Sequence, residues 1–188
     1  MATAQDSEVK LTEVEDRPEF DLFGFMEMSH ENRLGGAVRE RLEKYWASWG
    51  ELFQAYLIEI GKITYLALWL PQSVEEEVDR TWKASQSEGF LLNSLAQYYC
   101  MSFIQLVIPE VDESSCAPSP RPTEKLRQAL EGLGVPYKSP TSALLSFQYA
   151  VVTHYPYRGG CEICHLLDHC PKGQGRAEDA SIVLPGYD

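Results

Sequence analysis

Gly36-Ala-Val-Arg-Glu-Arg-Leu-Glu-Lys-Tyr-Trp-Ala-Ser-Trp-Gly-Glu-Leu-Phe-Gln-Ala-Tyr-Leu-Ile-Glu-Ile-Gly-Lys-Ile-Thr-Tyr-Leu-Ala-Leu-Trp69 is the stretch on which the fold class turns. Its apolar side chains fall at Val38, Leu42, Tyr45, Trp46, Trp49, Leu52, Phe53, Tyr56, Leu57 and Ile60. Steps of three and four put them on one broad face of a helix. Gly50 and Gly61 interrupt the run, and each marks either a close approach or a kink.

Working outward, Leu70-Pro71 ends the segment, and Ser73 with Glu75, Glu76 and Glu77 opens the next helix with acids in its first turn. A second long segment runs through Val78, Trp82, Phe90, Leu91, Leu95, Tyr98, Tyr99, Phe103 and Leu106, with Gly89 as its dividing point and Cys100 on the helix. Residues 109–122 form a Pro/Ser-rich loop. A shorter helix is expected over 123–133, stopped by Gly134. Ser139-Pro140 reads as an N-cap and first-turn proline opening a last helix to about Val152. No strand alternation is read. The expected class is all-α: four to five helices in a bundle-like domain over 32–153, with an acidic N-terminal arm over 1–31 and a Cys-rich metal loop and tail over 154–188.

The arm carries nine acidic side chains against two basic ones, a composition expected to stay extended. Phe20, Leu22, Phe23, Phe25 and Met26 break that pattern. Such a cluster packs back on the domain or docks a partner protein. Over all 188 residues the net charge is −12, so nucleic acid is not an expected partner. The most apolar window, 60–70, contains Lys62 and is too short to span a bilayer. The N-terminus has no basic region followed by an apolar stretch, so a cytoplasmic location is expected. Cysteines there are ligands, catalytic groups or buried thiols more often than disulfides.

The chemistry concentrates in Cys161-Glu-Ile-Cys164-His165-Leu-Leu-Asp-His169-Cys170. Two thiolates three residues apart grip one metal centre from a single turn, and Cys170 supplies a third. The fourth ligand decides the identity of the centre. Thiolate from Cys100, or alternatively from Cys116, gives a [4Fe–4S] cluster. Imidazole from His165 or His169 gives a Cys3His zinc site. Cys161-Glu-Ile-Cys164-His165 also matches the attachment pattern of haem c. Ordinary reduced thiols in a surface loop are the bland alternative. Glu162-Ile-Cys-His165 fits the Glu-x-x-His unit of di-iron bundles, but the chain has no second such unit. His154, just upstream, is expected to be a helix-end histidine rather than a ligand.

The Cys-x2-Cys-x5-Cys spacing is similar to the cluster loops of endonuclease-III-type glycosylases, WhiB-like regulators and RecB-type nucleases. In the last two a lone cysteine precedes the triplet, as Cys100 does here. These likenesses imply a cluster held by Cys100, Cys161, Cys164 and Cys170. The chain departs from all three: it lacks a helix-hairpin-helix glycine pattern, a Gly-Val-Trp-Gly-Gly turn and a nuclease carboxylate-lysine motif. The triplet also resembles that of molybdenum-donor accessory proteins of nitrogenase cofactor assembly. Their extra cysteine, five residues ahead of the triplet, is Pro156 here. The likenesses cover ten residues and assign the chain to no family.

No Gly-rich phosphate loop, Gly-x-Ser-x-Gly elbow or His-Glu-x-x-His is present. The expected role is therefore an iron–sulfur accessory or assembly protein working through protein partners, more a binding protein than an enzyme in its own right. The alternatives are an electron-transfer subunit of an oxidoreductase and a zinc-stabilised interaction protein.

Overall fold

Tyr56, Leu57 and Ile60 continue the helical spacing of the opening stretch, yet the helix stops before them. In the computed structural model, helix α2 spans Gly36–Leu52, and the chain then becomes a hairpin of strands β2, Gln54–Ile60, and β3, Ile63–Trp69. Residues 8–111, 116–139, 142–158, 161–167 and 170 are described, without the side chain of Cys161. The other described elements are β1 (Val9–Glu13), α1 (Leu22–Ser29), α3 (Gln72–Ala84), α4 (Gln86–Val107), α5 (Glu124–Gly132), β4 (Ala150–Tyr155) and a 3-10 turn at Cys161–Ile163. The four strands form one antiparallel sheet in the order β1-β2-β3-β4. The all-α expectation is thus corrected: the fold is mixed, five helices with a four-stranded antiparallel sheet among the described residues.

The physical reason for the misreading is burial on both faces of the sheet. Ala55, Leu66 and Leu68 belong to the main core, with Leu57 and Val151 against it. Their neighbours Tyr56, Ile58, Tyr65, Ala67, Trp69 and Val152 belong to a second core on the other face. A strand covered on both sides reads as an unbroken apolar run, which a helical template also fits. Gly61 is neither a close approach nor a kink. It takes φ +63° in the two-residue turn between Ile60 and Ile63, the first central position of a type II′ hairpin, where glycine is favoured.

The expected helix running from 139 to about 152 is likewise corrected. Tyr137 bridges Leu145, and the β-branched run Val151-Val152-Thr153 lies in β4, paired with Leu68, Ala67 and Leu66. The long second helix is two helices, divided at Ser85 and not at Gly89. The Ser85 side chain accepts from Glu88 N–H as the cap of α4. Gly89 instead lets α4 pass close to Trp82 of α3.

The segment read as an acidic arm is part of the fold from residue 8 onward. β1 pairs with β2, Val9 opposite Ile60. Phe25 of α1 is fully buried and meets Tyr98 edge-on, while Phe20 lies 5.2 Å from the Trp46 ring. Arg17 fastens the connection: its Nε donates to Gly50 O at 2.9 Å and its Nη2 to Phe53 O at 3.0 Å, satisfying carbonyls left open at the end of α2. Phe23 alone of that apolar cluster stands out, at 80% exposure. Helices α1–α4 thus cover one face of the sheet around Trp46, Trp49, Tyr99 and Phe103. The other face is covered by α5 and the segment after it. No helix among the described residues is long and apolar enough to cross a membrane.

Candidate metal loop

β4 delivers the chain to the Cys-rich loop. After Tyr155 comes a cis peptide bond to Pro156, and the loop begins with the 3-10 turn Cys161–Ile163. Two further turns follow: Leu167 N–H donates to Cys164 O at 3.1 Å, and Cys170 N–H to Leu167 O at 3.3 Å. The second and third cysteines of the motif therefore sit at the ends of consecutive short turns. Cys164, His165 and Cys170 are all half-buried, and Cys164 and Cys170 are free thiols. The side chain of Cys161 and the whole of His169, both expected ligands, lie outside the described residues. Among the described residues no three His, Cys, Asp or Glu side chains form a group that could hold a metal ion.

The four-thiolate [4Fe–4S] set that includes Cys100 is corrected on this point. Cys100 lies in the main core at 4% exposure, among the apolar residues of α4, and its Sγ donates weakly to Tyr149 O at 3.7 Å. Burial pushes its thiol up to about 12, which disfavours the thiolate that a metal requires. Its position along β4 is also wrong. Cys100 meets Tyr149, just before the first residue of β4, whereas the Cys loop follows the last. Cys100 is a core thiol at the far end of the strand. Without it, the described residues give the iron–sulfur reading no ligand group.

Cys116 has a different setting. It lies in the Pro/Ser-rich loop, whose described part is docked. Thr153 of β4, fully buried, donates from Oγ1 to Pro118 O at 3.0 Å. His165 N–H of the metal loop donates to Ser119 O at 2.8 Å. Pro118 and Pro120 are buried, and Ala117 packs against the main core. Cys116 itself is exposed. Pro118 and Pro120 gave a hint of this in the sequence, since fixed φ angles lower the entropy lost on docking. The partner surface could not be read without knowing that Thr153 lies on a strand.

His154 lies on β4 and not at a helix end. Its ring stacks obliquely on Tyr65 with centroids 5.3 Å apart, and its Nδ1 is buried with no hydrogen-bond partner. Burial, and secondarily the charge of Arg158, hold its pKa below the ordinary histidine value.

No protein-family model, curated protein or solved structure matches the chain. The reading of the loop therefore rests on its own chemistry.

Proposed function

We propose that the protein is an accessory protein that works by binding another protein, and that its C-terminal loop is closed by a zinc ion. The carrying observation is the arrangement of the loop: thiols at Cys164 and Cys170 on consecutive turns, directly after the sheet's edge strand β4. Cys161, at the head of the same motif, supplies a third thiolate. Thiolates at this spacing suit a tetrahedral structural site, and such an ion contributes folding energy to a segment too short to build a core. Loss of Cys100 from the ligand set weakens the all-thiolate cluster and leaves zinc as the favoured occupant. The surface supports the binding role. At a net charge of −12 it repels phosphate, so a protein partner is favoured over nucleic acid. Phe23, exposed on α1, is an apolar contact such a partner would cover.

Metal analysis and an absorption spectrum of the anaerobically purified full chain test the centre. The expected result is colourless protein with about one zinc per chain. Brown protein carrying iron and sulfide would overturn the zinc assignment, and protein without metal that takes up none on titration would overturn the site. Pull-down from the source cells with wild type and with Phe23→Glu tests the partner. A partner recovered equally well by both would remove Phe23 from the binding surface.

A further inference from the structure

We infer that the outer edge of β1 is a docking site for an extended, basic segment of a partner protein, which would add to the four-stranded sheet as one more strand. The inference deepens the protein-binding reading above, on which it rests, and is independent of the zinc site.

β1 stands at the end of the strand order, and among the described residues only β2 pairs with it. Two observations fix which of its backbone groups are free. Val14, which continues the register opposite Ala55, donates its N–H to Ala55 O at 2.9 Å. Hydrogen-bonded pairs alternate along an antiparallel ladder, so Thr12 and Lys10 also turn their backbone groups toward β2. The two-residue turn agrees: it pairs Ile60 with Ile63, which aims alternate residues of β2 at β3 and leaves Ala55, Leu57 and Glu59 for β1. Val9, Leu11 and Glu13 therefore turn their N–H and C=O groups outward, at the spacing of a further strand. The usual protections of an edge are missing from β1 itself. Val9–Glu13 pairs in unbroken register and contains no proline. Lys10, a residue type that often guards an edge, is drawn over β2 by Glu59, with its Nζ 2.7 Å from Oε1.

The side chains say what would bind. Val9 and Leu11 lie opposite Ile60 and Ile58, on the face of the second core, yet stay 38% and 43% exposed. An added strand would cover them with its own alternate apolar side chains. Charge selects its ends. Glu8 stands at one end of β1, and Glu13, Glu15 and Asp16 at the other, all exposed. Glu8 also lines an open cleft with Val9, Lys10, Glu59 and Gly61. Lys10 is matched by Glu59, and Arg17 is turned onto the carbonyls of Gly50 and Phe53. The edge is thus acidic at both ends and complements lysine or arginine flanking a short segment of alternating apolar residues. A second copy fits poorly. Pairing β1 with itself around Leu11 would set Glu13 beside Glu8 of the other copy, between two chains of net charge −12.

Fluorescence polarisation with the full chain tests this. The probe is a labelled synthetic peptide of alternating valine and threonine with arginine at each end. It should bind at least about tenfold more tightly than the same peptide ended in glutamate, and salt should shrink the difference. Leu11→Pro removes an outward N–H while leaving the β1–β2 bonds in place, and should weaken binding by about tenfold. Glu13→Lys should weaken it by about fivefold, whereas Glu40→Lys on α2, the same change in net charge, should leave affinity within about twofold. Urea denaturation of each variant checks the fold. Amide hydrogen exchange reads the edge directly. In the free chain the amides of Val9, Leu11 and Glu13 should exchange faster than those of Lys10 and Thr12, and the peptide should slow the first three.

Equal affinity of folded Leu11→Pro and wild type would overturn the inference, as would equal affinity for the two peptides. Outward amides already protected in a monomeric free chain would mean that another segment of this chain covers the edge. Protection in a dimer that Leu11→Pro dissociates would mean that a second copy does. Either result overturns it. If the peptide does not bind but wild type and Leu11→Pro pull down a partner equally, the edge is ruled out and the protein-binding reading stands. If neither peptide nor partner binds, both fall.

Discussion

Cys100→Ala separates a core thiol from a metal ligand. The sulfur at position 100 is buried among the residues of α4 and makes one weak hydrogen bond, to Tyr149 O. Removing it loses a buried group of about methylene size, worth about 0.8 kcal/mol in transfer free energy. The cavity left behind adds a similar amount, at about 24 cal/mol per Å³ of unfilled space. A sulfur–oxygen contact at 3.7 Å adds little. The expected destabilisation is about 1.5–2 kcal/mol. Urea denaturation followed by tryptophan fluorescence reads it directly, because Trp46, Trp49 and Trp69 are all buried in the two cores. Metal content, measured on the same preparations, should equal that of the wild type. The reasoning would be refuted by a folded Cys100→Ala protein whose stability is unchanged and whose metal is gone. Such a result would place Cys100 in the ligand set and require β4 to be remodelled.

Three further perturbations test the packing. Gly89→Ala places a Cβ 2.5 Å from Trp82 Cα, so α3 and α4 must separate; a loss of about 2–3 kcal/mol by urea denaturation is expected. Arg17→Ala frees the carbonyls of Gly50 and Phe53, and about 2 kcal/mol should be lost, with Arg17→Lys recovering less than half because an ammonium cannot fork between the two oxygens. Alkaline pH should destabilise the metal-free protein. Burial pushes Cys100 from 9.0 to about 12, and Tyr99 and Tyr137 from 10.0 to about 12. All three pKa values are raised in the folded state, so the unfolded chain releases protons first. Their contribution is fully present below pH 9 and is lost as the pH rises toward 12. In Cys100→Ala the decline should begin nearer pH 10, where the tyrosines start to titrate in the unfolded chain; a decline still starting at pH 9 would count against the assignment.

The helices were largely legible in the sequence, and the sheet was not. Leu42, Trp46 and Trp49 repeat at helical spacing and are buried on α2, and Gly134, at φ +81°, ends α5 where a helix stop was read. The reading broke at Phe53, where Tyr56, Leu57 and Ile60 satisfy the helical steps as well as a strand does. Both faces of β2 are covered, so after Gln54 no polar residue marks a solvent side until Glu59. Gly61-Lys62 was the decisive local signal, since a two-residue hairpin needs glycine at its first central position. At 150–155, the proline of Ser139-Pro140 suggested a helix start, while Val151, Val152 and Thr153 carried the opposing β-branched preference. The metal loop was legible as a motif because three thiols lie within ten residues. Its surroundings were not, because the placing of Cys100 and of the loop depends on strand β4, whose first half falls within the expected helix.

That dependence also fixes what the metal can and cannot stabilise. Among the described residues, neither core contains a residue beyond Tyr157. A zinc ion held by the loop would therefore act on the loop and on the segment docked beside it, while the two cores stand on their own burial. Chelation should open residues 116–120 and 161–170 to amide hydrogen exchange and leave α4 and β3 protected, because opening free energies vary by cooperative unit. Thr153 gives the comparison its sharpest point. It lies in the edge strand, held by β3 on one side, while its hydroxyl reaches the docked segment through Pro118 O. If the ion fastens the segment, amides of β4 gain protection on zinc binding together with the loop. Chelation that instead exposed α4 and β3 equally would mean that the metal supports the whole fold, and that the cores alone are insufficient.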